Sequence, residues 1–426
     1  MARGVKKIIK RTMYGFAKLC PPARKRVRNM MFWYRTRVFQ RASKGVVTDP
    51  KLMAFCVFSG KGYSDSPRAI YEYMVRQPEY ADYRFVWIFK RRYIENYGWL
   101  EETYPNTTVV AWASPEYQKA MATAKYWIFN YRVSAHMWPR EDQVYVECWH
   151  GTPLKRLGYD LTYSDNAMNT TDEIRQKYDL DSAKFRWMIS PSPFTTEVFA
   201  TAWNLHAIGK TDALLEEGYP RNDFLINHTQ EDVDRVKREL NITPEEIGGR
   251  KIILYAPTWR DNQHTSGLGY SYELGADFQK LRAALEEDYV LLFRAHYLVA
   301  SRFDFEAYGD FVRDVSRYPD INDLYIVSDL LITDYSSVFF DYANLRRPIL
   351  FYMYDLAAYR DEIRGFYLSL DDLPGPIVED EDALIAAIPE ALSKPAYDEK
   401  YRRFHERFNP LDDGHAAERV VKRILS

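Results

Sequence analysis

Beyond Lys51 the chain alternates short, unbroken apolar runs with longer stretches whose apolar positions recur every three to four residues. The runs predict strands at Leu52–Phe58, Phe85–Phe89, Val109–Trp112, Tyr126–Phe129, Val144–Cys148 and Trp187–Ile189. A second series follows at Ile252–Tyr255, Val290–Phe293, Phe311–Val315, Leu330–Thr333 and Ile349–Tyr352. Helical stretches between them include Ser66–Arg76, Ser192–Trp203, Glu231–Leu240 and Asp277–Glu287. Strands alternating with helices in this way build parallel sheets covered on both faces. The expected fold is α/β, with two doubly wound Rossmann-type domains facing a cleft.

A polar, charge-rich stretch from Asn227 to Arg250, ending in Gly248-Gly249, separates the two series. The expected division is an arm over residues 1–50, a first domain over 51–235 and a second over 236–396. The last segment, 397–426, reads as helical and able to cross back to the first domain. Ligands of such sheets bind beyond the carboxyl ends of the strands, so residues directly after strands carry most weight.

The formal net charge of −2 hides two opposed objects. Residues 1–44 hold 14 Lys or Arg and no Asp or Glu, leaving 44 basic against 60 acidic side chains in the remainder. Val5, Ile8, Ile9, Met13, Phe16 and Leu19 follow helical spacing, with Lys6, Lys7, Lys10, Arg11 and Lys18 largely on the other side. Pro21 and Pro22 break this helix, and Met30, Met31, Phe32, Trp33 and Tyr34 are embedded in a second basic stretch. A cationic amphipathic helix with aromatics suits an anionic membrane surface, where each basic residue contributes about 1 kcal/mol. The competing reading packs this helix on the chain's own acidic body. Nucleic acid is not an expected partner, because the acidic remainder repels phosphate backbones.

Other features narrow the class. No run of eighteen apolar residues predicts a spanning helix, and the N-terminus lacks the apolar stretch and cleavage site of a secretory signal. Cys20, Cys56 and Cys148 have neither disulfide-framework nor zinc-ligand spacing, so a reducing compartment is the simplest setting. Aromatics at 16%, with 34 Tyr, fit carbohydrate or membrane-interface contact as well as a Tyr-rich core. Asp179/Asp181 and Asp232/Asp234 follow no strong strand and read as helix-surface or turn carboxylates, so neither a metal nor any other cofactor is expected.

Three constellations stand at strand ends. Trp149-His150-Gly151-Thr152-Pro153-Leu154-Lys155 follows Val144–Cys148, where an imidazole titrating near neutrality suits removal of a proton from an attacking hydroxyl. Arg294-Ala295-His296 follows Val290–Phe293 and offers a guanidinium fork and a hydrogen-bond donor to phosphate, or else a strand-end pair satisfying helix carbonyls. Thr333-Asp334-Tyr335-Ser336-Ser337 ends a buried strand and opens a helix, offering a diphosphate cradle, or simply N-capping by Ser336 or Asp334. Asp341, about one turn further on, would reach ribose hydroxyls. Tyr255-Ala256-Pro257-Thr258-Trp259-Arg260 and the loop holding Arg221 add a rigid turn and another cation.

Taken together and in this order, these motifs resemble the CDP-glycerol glycerophosphotransferases, the teichoic-acid polymerases of bacterial envelopes. The likeness runs from about Leu52 to the C-terminus. It implies a GT-B-type fold, CDP-glycerol as donor, CMP as leaving group, and His150 and His296 as the catalytic histidines. It implies donor contacts at Gly151, Thr152, Pro153, Leu154, Arg221, Pro257, Thr258, Arg294, Ser336, Ser337 and Asp341. A lipid-linked glycan or growing polymer as acceptor would explain the basic arm, residues 1–44, as a peripheral anchor at the cytoplasmic face of the membrane. The His-Gly-Thr-Pro-Leu-Lys form resembles the chain-extending members, although only the basic arm precedes the matching region. Alternatives are CDP-ribitol as donor, a conventional GT-B nucleotide-sugar glycosyltransferase, and a membrane-surface scaffold without turnover, against which both histidines speak.

Overall fold

The computed structural model describes residues 21–161, 170–258, 264–265, 269–270, 275–295, 305–356 and 365–426. The first seven strands are β1 (Asp49–Cys56), β2 (Arg84–Phe89), β3 (Thr107–Ala111), β4 (Ala124–Phe129), β5 (Val144–Glu147), β6 (Trp187–Ser190) and β7 (Leu214–Glu216). They form one parallel sheet in the order β3-β2-β1-β4-β5-β6-β7. After β8 (Lys251–Tyr255) comes a small antiparallel hairpin of β9 (His264–Thr265) and β10 (Gly269–Tyr270). Then follow β11 (Tyr289–Phe293), β12 (Val312–Asp314), β13 (Leu330–Thr333), β14 (Ile349–Tyr352) and β15 (Ile377–Val378). The second sheet, also parallel, has the order β12-β11-β8-β13-β14-β15.

The unbroken apolar runs have a simple cause. Alternate residues of β1 enter opposite cores: Met53 and Phe55 pack in one, Ala54 and Cys56 in the other. In β8, Ile252 and Leu254 face one core while Ile253 and Tyr255 face another. A strand covered by helices on both sides has no polar face to show. The arrangement is the expected pair of doubly wound, GT-B-like lobes.

Strand order places the functional loops. The first sheet reverses direction between β1 and β4, the second between β8 and β13. Crevices open at such switch points, beyond the carboxyl ends. The loops there are Val57–Ser64 and Asn130 onward in the first lobe, and Ala256–Thr258 with Asp334–Ser337 in the second.

Three observations refine the expected division. Helix Gln230–Glu239 runs through the boundary expected at 235/236, and its Val236 is buried in the second lobe's core. The final segment is two helices: Glu399–Phe408 packs Tyr401, Phe404 and Phe408 into the second lobe, while Ala416–Leu425 places Val420, Val421 and Ile424 in the first. The arm is partly integrated, since β1 begins at Asp49 and helix Pro21–Ser43 buries Phe39 edge-on against Trp127. Met30, Phe32, Trp33 and Tyr34 of that helix remain exposed. The expected amphipathic helix around Val5–Leu19 lies outside the described residues. Among the described residues no helix is long and apolar enough to cross a membrane.

Candidate active site

His150 stands three residues beyond the end of β5, and the chain must turn sharply to present it. Trp149 makes that turn at φ +52°, in the left-handed region, which costs an L-residue about 1–2 kcal/mol. Two anchors hold it: its ring packs edge-on against Trp203 at 4.7 Å, and its backbone N–H donates to Glu147 Oε1 at 3.0 Å. Glu147 is buried, and its other oxygen accepts from Tyr145 at 2.5 Å. Desolvation raises its pKa to about 8.

The imidazole has a defined tautomer. Its Nδ1 lies 2.9 Å from the carbonyl oxygen of Asn130, which only accepts, so Nδ1 carries the hydrogen and Nε2 is free to take a proton. Burial lowers the His150 pKa from 6.5, opposed by the Asn130 carbonyl and Asp65 and aided by Arg221 and Arg132. The ring is therefore neutral at physiological pH, as a base must be. Asn130 does more: its side-chain oxygen accepts from Phe58 N–H at 2.8 Å and its amide donates to Asp65 at 2.8 Å.

The second lobe brings two loops to the same place. Asp334 Oδ1 accepts from the backbone N–H of Thr258 at 2.7 Å and of Tyr335 at 2.6 Å, clipping the loops after β8 and β13 together. Ser337 precedes helix Val338–Tyr342 without capping it through its side chain, and Ser336 and Ser337 are half-buried. Gly151 and Ser337 meet: a Cβ added at Gly151 would stand 2.7 Å from Ser337 Oγ. The two motifs, nearly two hundred residues apart, are in contact across the cleft. Arg294 Nη1 donates to the carbonyls of Val315 (3.2 Å) and Tyr318 (2.9 Å), which lie in the turn after β12 and not in a helix. Pro257 and Thr258 are half-buried at the end of β8. His296, like Trp259 and Arg260, lies outside the described residues.

Two expected ligand groups prove to be partners of each other. Arg221, 5% exposed, donates Nη2 to Asp341 Oδ1 at 3.0 Å, Nε to its Oδ2 at 3.3 Å, and Nη1 to Asp65 Oδ1 at 3.3 Å. Asp341 is thus spent on an interlobe ion pair rather than presented to a ribose. Leu154 likewise turns away from the cleft, buried to 2% in the second lobe's core. The backbone around it pairs with the second lobe: Tyr367 N–H donates to Leu154 at 2.9 Å and Arg156 N–H to Gly365 at 3.1 Å. Thr152 and Pro153, between Gly151 and Leu154, are buried. Asp181, read from sequence as a surface or turn carboxylate, is buried at the end of its helix and paired with Arg132 at 2.5 Å.

Comparison with known proteins identifies the family. A model of the CDP-Glycerol:Poly(glycerophosphate) glycerophosphotransferase family matches residues 38–426. The chain belongs to that family. It is 39% identical over 380 residues to the teichoic acid glycerol-phosphate transferase of Staphylococcus aureus, covering 88% of this chain and 92% of the relative. It is 39% identical over 379 residues to the teichoic acid poly(glycerol phosphate) polymerase of Bacillus subtilis, covering 88% of this chain but 48% of that one. The chain therefore spans about half the length of the Bacillus subtilis polymerase. Solved structures of the wall teichoic acid polymerase TagF, one a variant soaked with CDPG, superpose with a TM-score of 0.79 at 35% identity over 94% of this chain and 95% of theirs.

In this family member the sequence reading expects His150, Gly151 and Ser337 within a few residues of strand ends, and the structure brings Gly151 and Ser337 into contact. The sequence reading misses Asn130, Asp65 and Glu147. Asn130 also directly follows a strand, the signal that was available, but its role runs through a backbone carbonyl that any residue possesses.

Proposed function

We propose that this chain transfers a glycerol phosphate unit from CDP-glycerol to a hydroxyl of a polyol-phosphate or glycan acceptor, releasing CMP. The observation that carries the mechanism is the His150 imidazole, locked with Nε2 as acceptor beside the contact between Gly151 and Ser337. The acceptor hydroxyl gives its proton to Nε2 as its oxygen attacks the β-phosphorus. The bond from that phosphorus to the CMP oxygen breaks, and CMP departs with the electron pair. Ser336, Ser337 and the backbone of Pro257–Thr258 line the side from which a diphosphate is held, with His296 and the Arg294 N–H groups not given to Val315 and Tyr318 assigned to its charge. Arg221 and Asp341 hold the lobes in register. The family description and the CDPG-soaked TagF variant support the donor.

The deciding experiment offers CDP-glycerol, CDP-ribitol and nucleotide sugars separately and scores CMP release and acceptor mass. Consumption of a nucleotide sugar alone overturns phosphotransfer, and consumption of CDP-ribitol alone reassigns the polyol. His150→Ala lowers turnover by about 100- to 10,000-fold with donor binding retained. In the wild type the rate rises with pH as His150 loses its proton, with a midpoint below 6.5.

The arm is assigned to an anionic membrane surface at the cytoplasmic face. Its support is the run of 14 basic and no acidic residues over 1–44 and the exposed Met30, Phe32, Trp33 and Tyr34. Vesicles of anionic lipid should retain the protein in low salt and release it in high salt. Equal binding to neutral vesicles contradicts an electrostatic anchor.

A further inference from the structure

We infer that Phe58 and Tyr131 form the acceptor subsite, a pair of aromatic walls for the carbon face of the terminal polyol or sugar unit. The inference rests on the proposed transfer reaction and on His150 as its base. With Nδ1 committed to Asn130, the hydroxyl losing its proton must lie against Nε2. Besides the buried Trp149 ring at 4.2 Å, two solvent-exposed rings flank the imidazole: Phe58 edge-on with centroids 5.9 Å apart, and Tyr131 tilted at 6.0 Å. Both stay open to solvent, Phe58 at 38% and Tyr131 at 45% exposure. They follow β1 and β4, the two strands at the switch point of the first sheet.

The presentation of Phe58 is built rather than incidental. Phe58 and Ser59 both sit at positive φ, +44° and +58°, where a bulky residue is rare. The turn is pinned by Gly60 and Lys61 N–H donating to Val57, by Lys90 N–H donating to Gly60, and by Phe58 N–H donating to the Asn130 side chain. Gly60 cannot be replaced cheaply, because a Cβ there would stand 2.9 Å from Lys90 N. Asn130 therefore sets the imidazole through its carbonyl, holds the Phe58 turn through its side chain, and immediately precedes Tyr131. A polyol or pyranose offers C–H groups that pack on aromatic faces while its hydroxyls stay free to react. A nucleotide is the less suitable occupant, since the loops that meet its diphosphate belong to the other lobe.

The test measures acceptor and donor KM separately for Phe58→Ala, Phe58→Gly and Tyr131→Ala. Two acceptors are used, one ending in glycerol phosphate and one ending in a hexose. Phe58→Gly removes the ring while suiting the positive φ, so it reports on the ring even if Phe58→Ala folds poorly. The expected result is a rise in acceptor KM of about three- to tenfold per ring, with calorimetric CDP-glycerol binding unchanged. The acceptor showing the larger rise identifies the unit that stacks. Acceptor KM unmoved for both acceptors, or donor affinity falling in step, overturns the subsite. If the wild type releases no CMP from CDP-glycerol with either acceptor, the function reading fails and the subsite with it.

Discussion

The lobes are joined by two seams of opposite chemistry, and the catalytic loop lies between them. One is buried charge: Asp65, Arg221 and Asp341, continued through Asn222 to Asp412, which accepts from the amides of Asn222 (2.6 Å), Asn344 (2.9 Å) and Asn409 (3.1 Å). The other is apolar packing and backbone pairing: Leu154 in the second core and residues 154–157 against 365–367, with Leu157 N–H donating to the Tyr367 hydroxyl at 3.0 Å. Burying charge gains little net stability, because desolvation consumes the Coulomb attraction, but an unpaired buried charge is intolerable. The polar seam therefore admits one lobe arrangement and penalises others, while the apolar seam supplies cohesion and tolerates small shifts.

The sharpest way to break that contrast is Arg221→Ala, which strands Asp65 and Asp341 without a counter-charge. The expected loss is about 3–5 kcal/mol in urea unfolding. Adding Asp341→Asn should recover part of it, since a neutral amide costs less to bury. If Arg221→Ala costs no more than an exposed ion pair, the polar seam does not set the orientation of the lobes. Leu154→Ala comes next, at about 2–4 kcal/mol, from a cavity in the second core. No partner substitution should rescue it, which distinguishes packing from pairing.

This difference in chemistry also explains what was legible in the sequence. The parallel strands are visible because continuous apolar runs have few other homes. β7 (Leu214–Glu216) and β15 (Ile377–Val378) give no such signal, being edge strands of three and two residues with no periodicity to detect. The strand-end rule points to His150, Gly151 and Ser337, since it needs only local pattern. The Arg221–Asp341 pair spans 120 residues, and nothing local shows that a cation and a carboxylate will satisfy each other before any ligand arrives. Leu154 belongs to a motif whose family resemblance implies donor contact, whereas its side chain obeys its hydrophobicity.

A third experiment probes the support beneath the catalytic turn. Glu147 is protonated in the fold up to about pH 8, against 4.5 for the ordinary carboxyl. Its folded pKa is raised, so its contribution to stability is complete below about 4.5 and is lost as pH rises through about 8. Glu147→Gln keeps an acceptor for Trp149 N–H and cannot ionise. The variant should lose less stability than the wild type over that window, by up to a few kcal/mol at its upper end. Parallel curves of unfolding free energy against pH would assign the wild type's alkaline loss to other groups, such as Asp181, also raised, to about 6.

The smallest expected effect tests the point where the lobes touch. A methyl at Gly151 would meet Ser337 Oγ at 2.7 Å and its Cβ at 3.4 Å. The hydroxyl can rotate aside while the Cβ contact is tight but ordinary, so Gly151→Ala should cost under about 1 kcal/mol in stability. Turnover is more sensitive, because the displaced hydroxyl is one assigned to the diphosphate and a small misplacement there carries a rate penalty. Ser337→Ala alone removes that hydroxyl; with Gly151→Ala it also removes the clash. In a double-mutant cycle the stability costs should therefore be less than additive, while the turnover of the double variant should match that of Ser337→Ala. Additive stability costs would mean that Gly151 and Ser337 do not meet in solution, and the lobes would then be held by their seams without closing over the imidazole.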